Sequence, residues 1–346
     1  MFVSRVALAL VGVLAALFVA PSTASAADPD VTSVDVTFAV RNVNRTLVVC
    51  PADGKTYVLR GQLVGPASSL DGSTIGRVNV LVHDITAGAW FWRMPGHGEY
   101  DYAGQLARSG EVSLVIDRLG YDGSPLADGN ATCLGAHADM LHQVVEQLRA
   151  GSYASDGDTP AAESVVTHGH SVGAAIAQSE AATWHDVDGL VVMSWSDSGA
   201  SVRSISEAAT QNAACLLAAP QGYAWFGRTP EAFRSMLFRT APVAVQQSAS
   251  ALRNPDPCGD ALSLATTVTL GNVLTRLIDV PVLLLFGEKD ALNRPDSRLL
   301  QPLAYGPGAP VTARTLSGTG SALPLEQSAP QTRAYVTSWL CEELSC

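Results

Sequence analysis

Apolar and polar side chains alternate along residues 31–40, with Val34, Val36 and Phe38 on one side, and again along 55–64, KTYVLRGQLV. A period of two sends successive side chains to opposite faces of a strand. Both stretches therefore read as early antiparallel strands, the first at an exposed edge. Residues 44–51 are expected to pair near the second, and the turn-rich 66–76 to form a loop. The pattern then changes to short unbroken apolar runs at 77–83, 112–117, 165–166, 190–194, 282–286 and 311–316. Runs of that kind suit strands covered on both faces. Between them lie helical spacings: Met140, Leu141, Val144, Val145 and Leu148 mark a helix over 136–149, and 102–109 and 331–343 read likewise. Buried strands alternating with helices imply an α/β chain with a mostly parallel, doubly wound sheet.

From residue 196 to 277 the alternation stops. This stretch is mostly helical, broken by Pro220, Pro230, Pro242, Pro255 and Pro257, and carries Tyr223, Trp225, Phe226, Phe233 and Phe238. It reads as a helical cap inserted between a first core segment, 27–195, and a second, 278–346. The cap aromatics sit at helical spacing and are expected to be mostly core, with a few lining an enclosed apolar pocket.

Residues 1–26 are set apart from the fold. Arg5, an apolar run over 6–20 and Ala24-Ser25-Ala26 have the order of a cleaved secretory signal peptide, weighed against an uncleaved anchor. No later run is long and apolar enough to span a bilayer, so a soluble, secreted chain is expected. A formal net charge of −11 argues against nucleic acid and anionic membranes as partners. Charged residues make up only 15% against 47% hydrophobic, which points to a sizeable core and away from disorder. Six cysteines in an exported chain suggest three disulfides among fifteen possible pairings. Closeness along the chain and the element order favour Cys50–Cys133, Cys215–Cys258 and Cys341–Cys346. The spacings contain no C-x₂-C pair, and neither a metal nor a cofactor is expected.

The chemistry centres on ESVVTHGHSVGAAI, residues 163–176. Val165-Val166 leads into Gly169-His170-Ser171-Val172-Gly173, followed by Ala174, Ala175 and Ala177. G-x-S-x-G between a strand and a helix is the pattern of a nucleophile elbow. The tight turn demands small neighbours, lifts the Ser171 hydroxyl clear, and aims the first helical N–H groups at developing negative charge. The other chemical candidates, His83 to Ala87, Arg118 to Gly123 and Asp290, all fall at the ends of buried strands, where doubly wound sheets bind ligands.

With these residues in place the chain resembles the α/β-hydrolase superfamily over roughly 77–194 and 280–343. VHDITAGAWFW resembles the V-H-G-x-x-x-G-A-W-x-W stretch of its esterase and hydroxynitrile lyase branch. Asp117, Gly120 and Ser124 approximate the fourth-strand signature, GHSVG the elbow, and LLLFGEKD the strand that delivers the acid. The resemblance implies an α/β-hydrolase fold in which Ser171 is the nucleophile, Asp290 the acid, and the backbone N–H groups of Ile85 and Val172 the oxyanion hole. Asp84 stands where the family usually has Gly. That substitution bears on the loop's backbone geometry and leaves its donors in place.

The family ends its last strand with G-H; here the matching residues are Gly320 and Ser321, and no histidine follows His185. A serine nucleophile needs a base. Losing it costs on the order of 10⁶ in turnover, while oxyanion hole and binding retain about 10³–10⁴ over water. Either a histidine from elsewhere enters the site, or the catalyst is poor or altered, or the protein binds without turnover. His83 and His170 flank the site but read better as structural, His168 as a core group, His97 and His185 as loop residues, and His137 and His142 as surface or packing residues. Asp197 is a second possible acid, more simply a loop aspartate starting the cap, and Trp90 and Trp92 read as packing. Three functions follow: a secreted hydrolase of carboxylic esters with small or medium apolar acids; a hydrolase-fold ligand-binding protein without turnover; and, on the HDITAGAWFW resemblance alone, a lyase. Each takes a small, largely apolar molecule.

Overall fold

The computed structural model describes residues 30–345. The expected signal segment and Cys346 lie outside them. The two alternating stretches form β1 (Val31–Arg41) and β2 (Thr56–Pro66), antiparallel, with Val31 opposite Pro66 and Arg41 opposite Thr56. Val36, Phe38 and Val40 of β1 face the core. Residues 44–51 form no strand. Their polar groups are satisfied locally, with Asn44 Nδ2 donating to the Val48 carbonyl and Thr46 Oγ1 accepting from Val48 N–H. The loop expected over 66–76 is shorter than its composition suggests: it holds one turn of helix, α1 (Ala67–Leu70), and β3 (Thr74–Val82) begins early. The reason is Ile75, which is buried and pairs with Ala162, carrying the strand across Gly76.

The core continues with α2 (Tyr102–Arg108), β4 (Val112–Ile116), α3 (Leu134–Ala150), the two-residue β5 (Ala154–Ser155), β6 (Ala161–His170), α4 (Val172–Trp184) and β7 (Gly189–Met193). After the insertion come β10 (Val282–Gly287), the one-turn α9 (Ser297–Leu300), β11 (Val311–Leu316) and α10 (Ala329–Leu344). The sheet runs β11-β10-β7-β6-β3-β4-β2-β1-β5. It is parallel from β11 to β4 and antiparallel only at β2, β1 and β5. The fully buried Val165, Val166, Leu190, Val191, Leu283 and Leu284 show why the middle strands read as unbroken apolar runs: helices cover both faces.

The insertion consists of α5 (Val202–Ala218), β8 (Tyr223–Ala224), α6 (Pro230–Leu237), α7 (Val243–Leu252), β9 (Asp256–Pro257) and α8 (Cys258–Leu274). Ser201 and Thr229 cap α5 and α6 by accepting backbone N–H groups of Ser204 and Ala232. Phe233 and Phe238 pack edge to face inside the insertion, as expected of its aromatics. The last helix, α8, returns to the layer that flanks the sheet and packs on α3 and α4. Two disulfides match the expected pairing, Cys50–Cys133 and Cys215–Cys258, the second tying α5 to the start of α8. The third expected pair ends on Cys346, outside the described residues. Among the described residues, no helix is long and apolar enough to cross a membrane.

Candidate active site

Ser171 links β6 to α4 with φ +49° and ψ −119°. An L-residue held at positive φ stores roughly 1–3 kcal/mol of strain and persists only where its surroundings enforce it. Here the enforcement is visible. Ser171 N–H donates to the Met193 carbonyl of β7 at 2.8 Å, and the Ser171 carbonyl accepts from Ala174 N–H at 2.9 Å. The flanking glycines are sterically required: a Cβ on Gly173 would run into the Val82 carbonyl, and one on Gly169 into Cα of Ala174. The side chain borders a cavity of about 540 Å³ whose walls include Ile205 of α5 and Val268 of α8, together with Ser194, Leu292 and Asn293 beyond strand ends.

Beyond β3, the His83 ring is locked in place. Its Nδ1 lies 2.7 Å from the Asp84 carbonyl and its Nε2 accepts the Arg118 N–H at 3.1 Å, so Nδ1 carries the hydrogen. Burial pushes it well below the usual imidazole range. The two expected oxyanion donors do converge. Ile85 N–H and Val172 N–H reach one oxygen, at 2.8 and 3.0 Å, and that oxygen is Oδ1 of Asp84. Asp84 therefore does more than alter the loop's backbone: its own side chain holds both N–H groups. Burial pushes Asp84 up to about 7 against the pull of these hydrogen bonds. Its Oδ2 faces Nδ1 of His170 at 3.9 Å. Because His170 Nε2 touches the Ser321 carbonyl at 2.9 Å, and a carbonyl only accepts, the His170 hydrogen sits on Nε2 and Nδ1 presents a lone pair. Burial brings His170 down to about 4, so the ring is neutral, stacked on Phe91.

Asp290 lies past the end of β10. It accepts from Leu292 N–H at 2.8 Å and from Asn293 Nδ2 at 3.0 Å, and burial pushes it up to about 6. Asn293 Nδ2 also donates to the Ser194 carbonyl, and the Ser194 hydroxyl donates to the Ser321 carbonyl at 2.8 Å. Ser321 is fully buried, and its own hydroxyl has no partner among the described residues. The site thus brings Ser171, Val172, Ile85 and Asp84 together. Ser321 joins through its main chain, and Asp290 is bound to Asn293 where an imidazole was the open question.

The histidines are engaged elsewhere. His97 meets Ser248, His168 meets Tyr102 and His185 meets Asp279. His137 lies 3.0 Å from Asp260, and His142 pairs with Asp186 while stacked on Trp184. The last two are packing groups inside the helix layer. His142, Glu180 and Asp186 bring one potential ligand atom each within 4.8 Å of one another. Burial, with Asp186 adding to it, pushes the Glu180 carboxyl well above the usual carboxylate range. Asp197 is buried and fixed by Trp195 Nε1 and Gln301 Nε2, and is an anchor of the insertion's first turn. Trp92 is core, packed on Tyr102.

A residue outside the sequence expectations, Asp256, holds the loop that follows Asp84. It accepts from Thr86 N–H at 2.5 Å, and also from Gln211 Nε2 and Tyr121 Oη. Asn254 adds a bond from its N–H to the Thr86 carbonyl and one from Nδ2 to the Ala87 carbonyl. Thr86 itself has φ +60°. The only sequence signal for this tether is the N-P-D-P run, whose prolines keep the segment extended.

Residues 80–334 match the family model described as Alpha/beta hydrolase family. No curated protein matches the chain. Among solved structures, it is similar to a thermophilic esterase from Thermogutta terrifontis, with 17% identity, 88% of this chain and 98% of the other covered, and a TM-score of 0.63. It is also similar to a monoacylglycerol lipase of Paleococcus ferrophilus at 17% identity, covering 77% and 94%, with a TM-score of 0.60. An esterase from Exiguobacterium antarcticum aligns at 16% identity over 86% and 98%, with a TM-score of 0.59. At these identities the likeness is one of fold.

Proposed function

The chain belongs to the alpha/beta hydrolase family, and from that premise we propose that it is a secreted serine hydrolase acting on carboxylic esters of small or medium apolar acids, with Ser171 as nucleophile. The observation that carries this reading is the strained elbow: Ser171 is held at φ +49° on the edge of a largely apolar cavity, with the Ile85 and Val172 N–H groups converging beside it. In the reaction Oγ of Ser171 adds to the ester carbonyl, its proton passing to water, the carbonyl oxygen takes the two backbone donors, and collapse of the adduct breaks the ester C–O bond and expels the alcohol, which takes up a proton. The acyl-serine ester is then cleaved by water. Asp290, bound to Asn293, adds negative potential at that end of the cavity. Without an imidazole on Ser171 the expected turnover is low, about 10³–10⁴ over water from binding and oxyanion stabilisation alone. The cavity volume suits a drug-sized molecule, and two disulfides favour an oxidising compartment.

A fluorophosphonate probe tests the reading. It should modify Ser171 in the native protein and leave Ser171→Ala untouched; absence of labelling in the native protein and in an Asp84→Gly variant alike, with the fold intact, counts decisively against a nucleophile. A second reading, ligand binding without turnover, is favoured by the buried, unpartnered Ser321 hydroxyl and by the engagement of the imidazoles elsewhere. Ser321→His separates the two. A gain of at least about 10²-fold in ester turnover marks the missing base as the limit. Wild-type turnover within about tenfold of the variant would dispose of the binding-only reading, being too small a gap for a general base.

A further inference from the structure

The site contains one group that the proposed chemistry does not use, the Asp84 carboxylate. We propose that Asp84 is the specificity-determining residue of the Ser171 pocket: its side chain fills the oxyanion hole, so the native protein excludes ester carbonyls and anionic ligands from that point until the carboxylate leaves. The inference rests on the reading of Ser171 as nucleophile and names what limits that site.

The geometry leaves room for one oxygen. An oxyanion hole works when its donors stand about 2.7–3.1 Å from the position that the developing anion will occupy. Ile85 N–H and Val172 N–H meet that condition at 2.8 and 3.0 Å, around Oδ1 of Asp84. A substrate carbonyl needs the same two donors. The group in possession already accepts both donors before any reaction begins, and in its ionised form those charge-assisted hydrogen bonds are about twice as strong as neutral ones. A second anion would meet like charge in a buried, weakly screened site. Nor does Asp84 simply replace the absent imidazole. A base that occupies the oxyanion hole leaves the oxyanion without donors, so one side chain in this position cannot do both jobs. Arg118, itself bonded to Asp260, and the neutral His83 and His170 are the other ionisable groups around it.

The fluorophosphonate probe reads this directly, because forming the Ser171 Oγ–P bond expels fluoride and a proton while the phosphoryl oxygen settles on the two N–H groups. Asp84→Gly empties the hole and should speed labelling about 10²-fold or more, since a single oxyanion donor is worth about 10²–10³ in rate. The double variant with Ser171→Ala should remain unlabelled. Asp84→Asn keeps the shape and drops the charge. It should label faster than wild type and slower than Asp84→Gly, and it serves alone if the glycine variant does not fold. Wild-type labelling with either folded variant equal or slower overturns the proposal and makes Asp84 inert or a proton acceptor, leaving the nucleophile reading intact. No labelling of any folded form overturns both.

Discussion

At Ser171 two glycines determine whether the strained corner can form. A methyl on Gly173 would meet the Val82 carbonyl, which belongs to a buried central strand and has nowhere to retreat. Gly173→Ala should therefore cost roughly 1–3 kcal/mol through overpacking, measured as a lower urea midpoint, with loss of probe labelling in the fraction that stays folded. The sequence contains this corner openly, because G-x-S-x-G allows few conformations. Asp290 was legible in the same way, as an acid at the end of an apolar run. The direction of the Asp84 side chain was not. Its partner Val172 N–H lies 88 residues downstream, and no local pattern says that two distant backbone donors will close on one carboxylate oxygen. That the Ser321 carbonyl would serve His170 and Ser194 was not legible either.

Elements were legible where period and burial agree. The unbroken runs that became β6, β7 and β10 are covered on both faces, and the alternating runs that became β1 and β2 lie toward one side of the sheet. Residues 44–51 misled because Leu47, Val48 and Val49 look like a strand, whereas Leu47 and Val49 are exposed and Val48 alone is buried. The inserted helices depend on a covalent tie that spacing alone does not select among fifteen pairings. Cys215–Cys258 closes a separation of 43 residues around β8, α6, α7 and β9. The chain-entropy account makes such a link worth about 4 kcal/mol. Replacing both cysteines by serine should lower unfolding stability by up to that amount and expose 219–257 to proteolysis before the sheet. Equal cleavage rates with and without the bond would show that the insertion is held by packing alone.

Over the whole molecule, buried carboxyls and buried imidazoles oppose each other in their response to pH. Burial raises Asp84 and Asp256 to about 7 and Asp117 and Asp290 to about 6. An acid with a raised folded pKa stabilises the native state most below its unfolded pKa, and that contribution is lost as pH rises through the folded value. His168 and His170, lowered to about 3 and 4, stabilise above the unfolded value near 6.5 and lose that contribution as pH falls. Between about pH 4.5 and 6.5 the two trends offset, and from about 6.5 to 8 the acids still exchange protons while the unfolded imidazoles lose the last of theirs. The melting temperature should therefore be nearly flat in the first window and fall in the second, with net proton release on folding absent throughout the second. Calorimetry at pH 5, 6.5 and 8 checks this, and a rise between 6.5 and 8 would contradict the assigned directions. The bonds from Thr86 to residues 254–256 carry a mechanical corollary. They tie the loop that carries Ile85 to Asp256, which Gln211 of α5 also binds, and α5 lines the cavity. A guest that displaces α5 should therefore pull on Thr86 and shift the adjoining Ile85 amide.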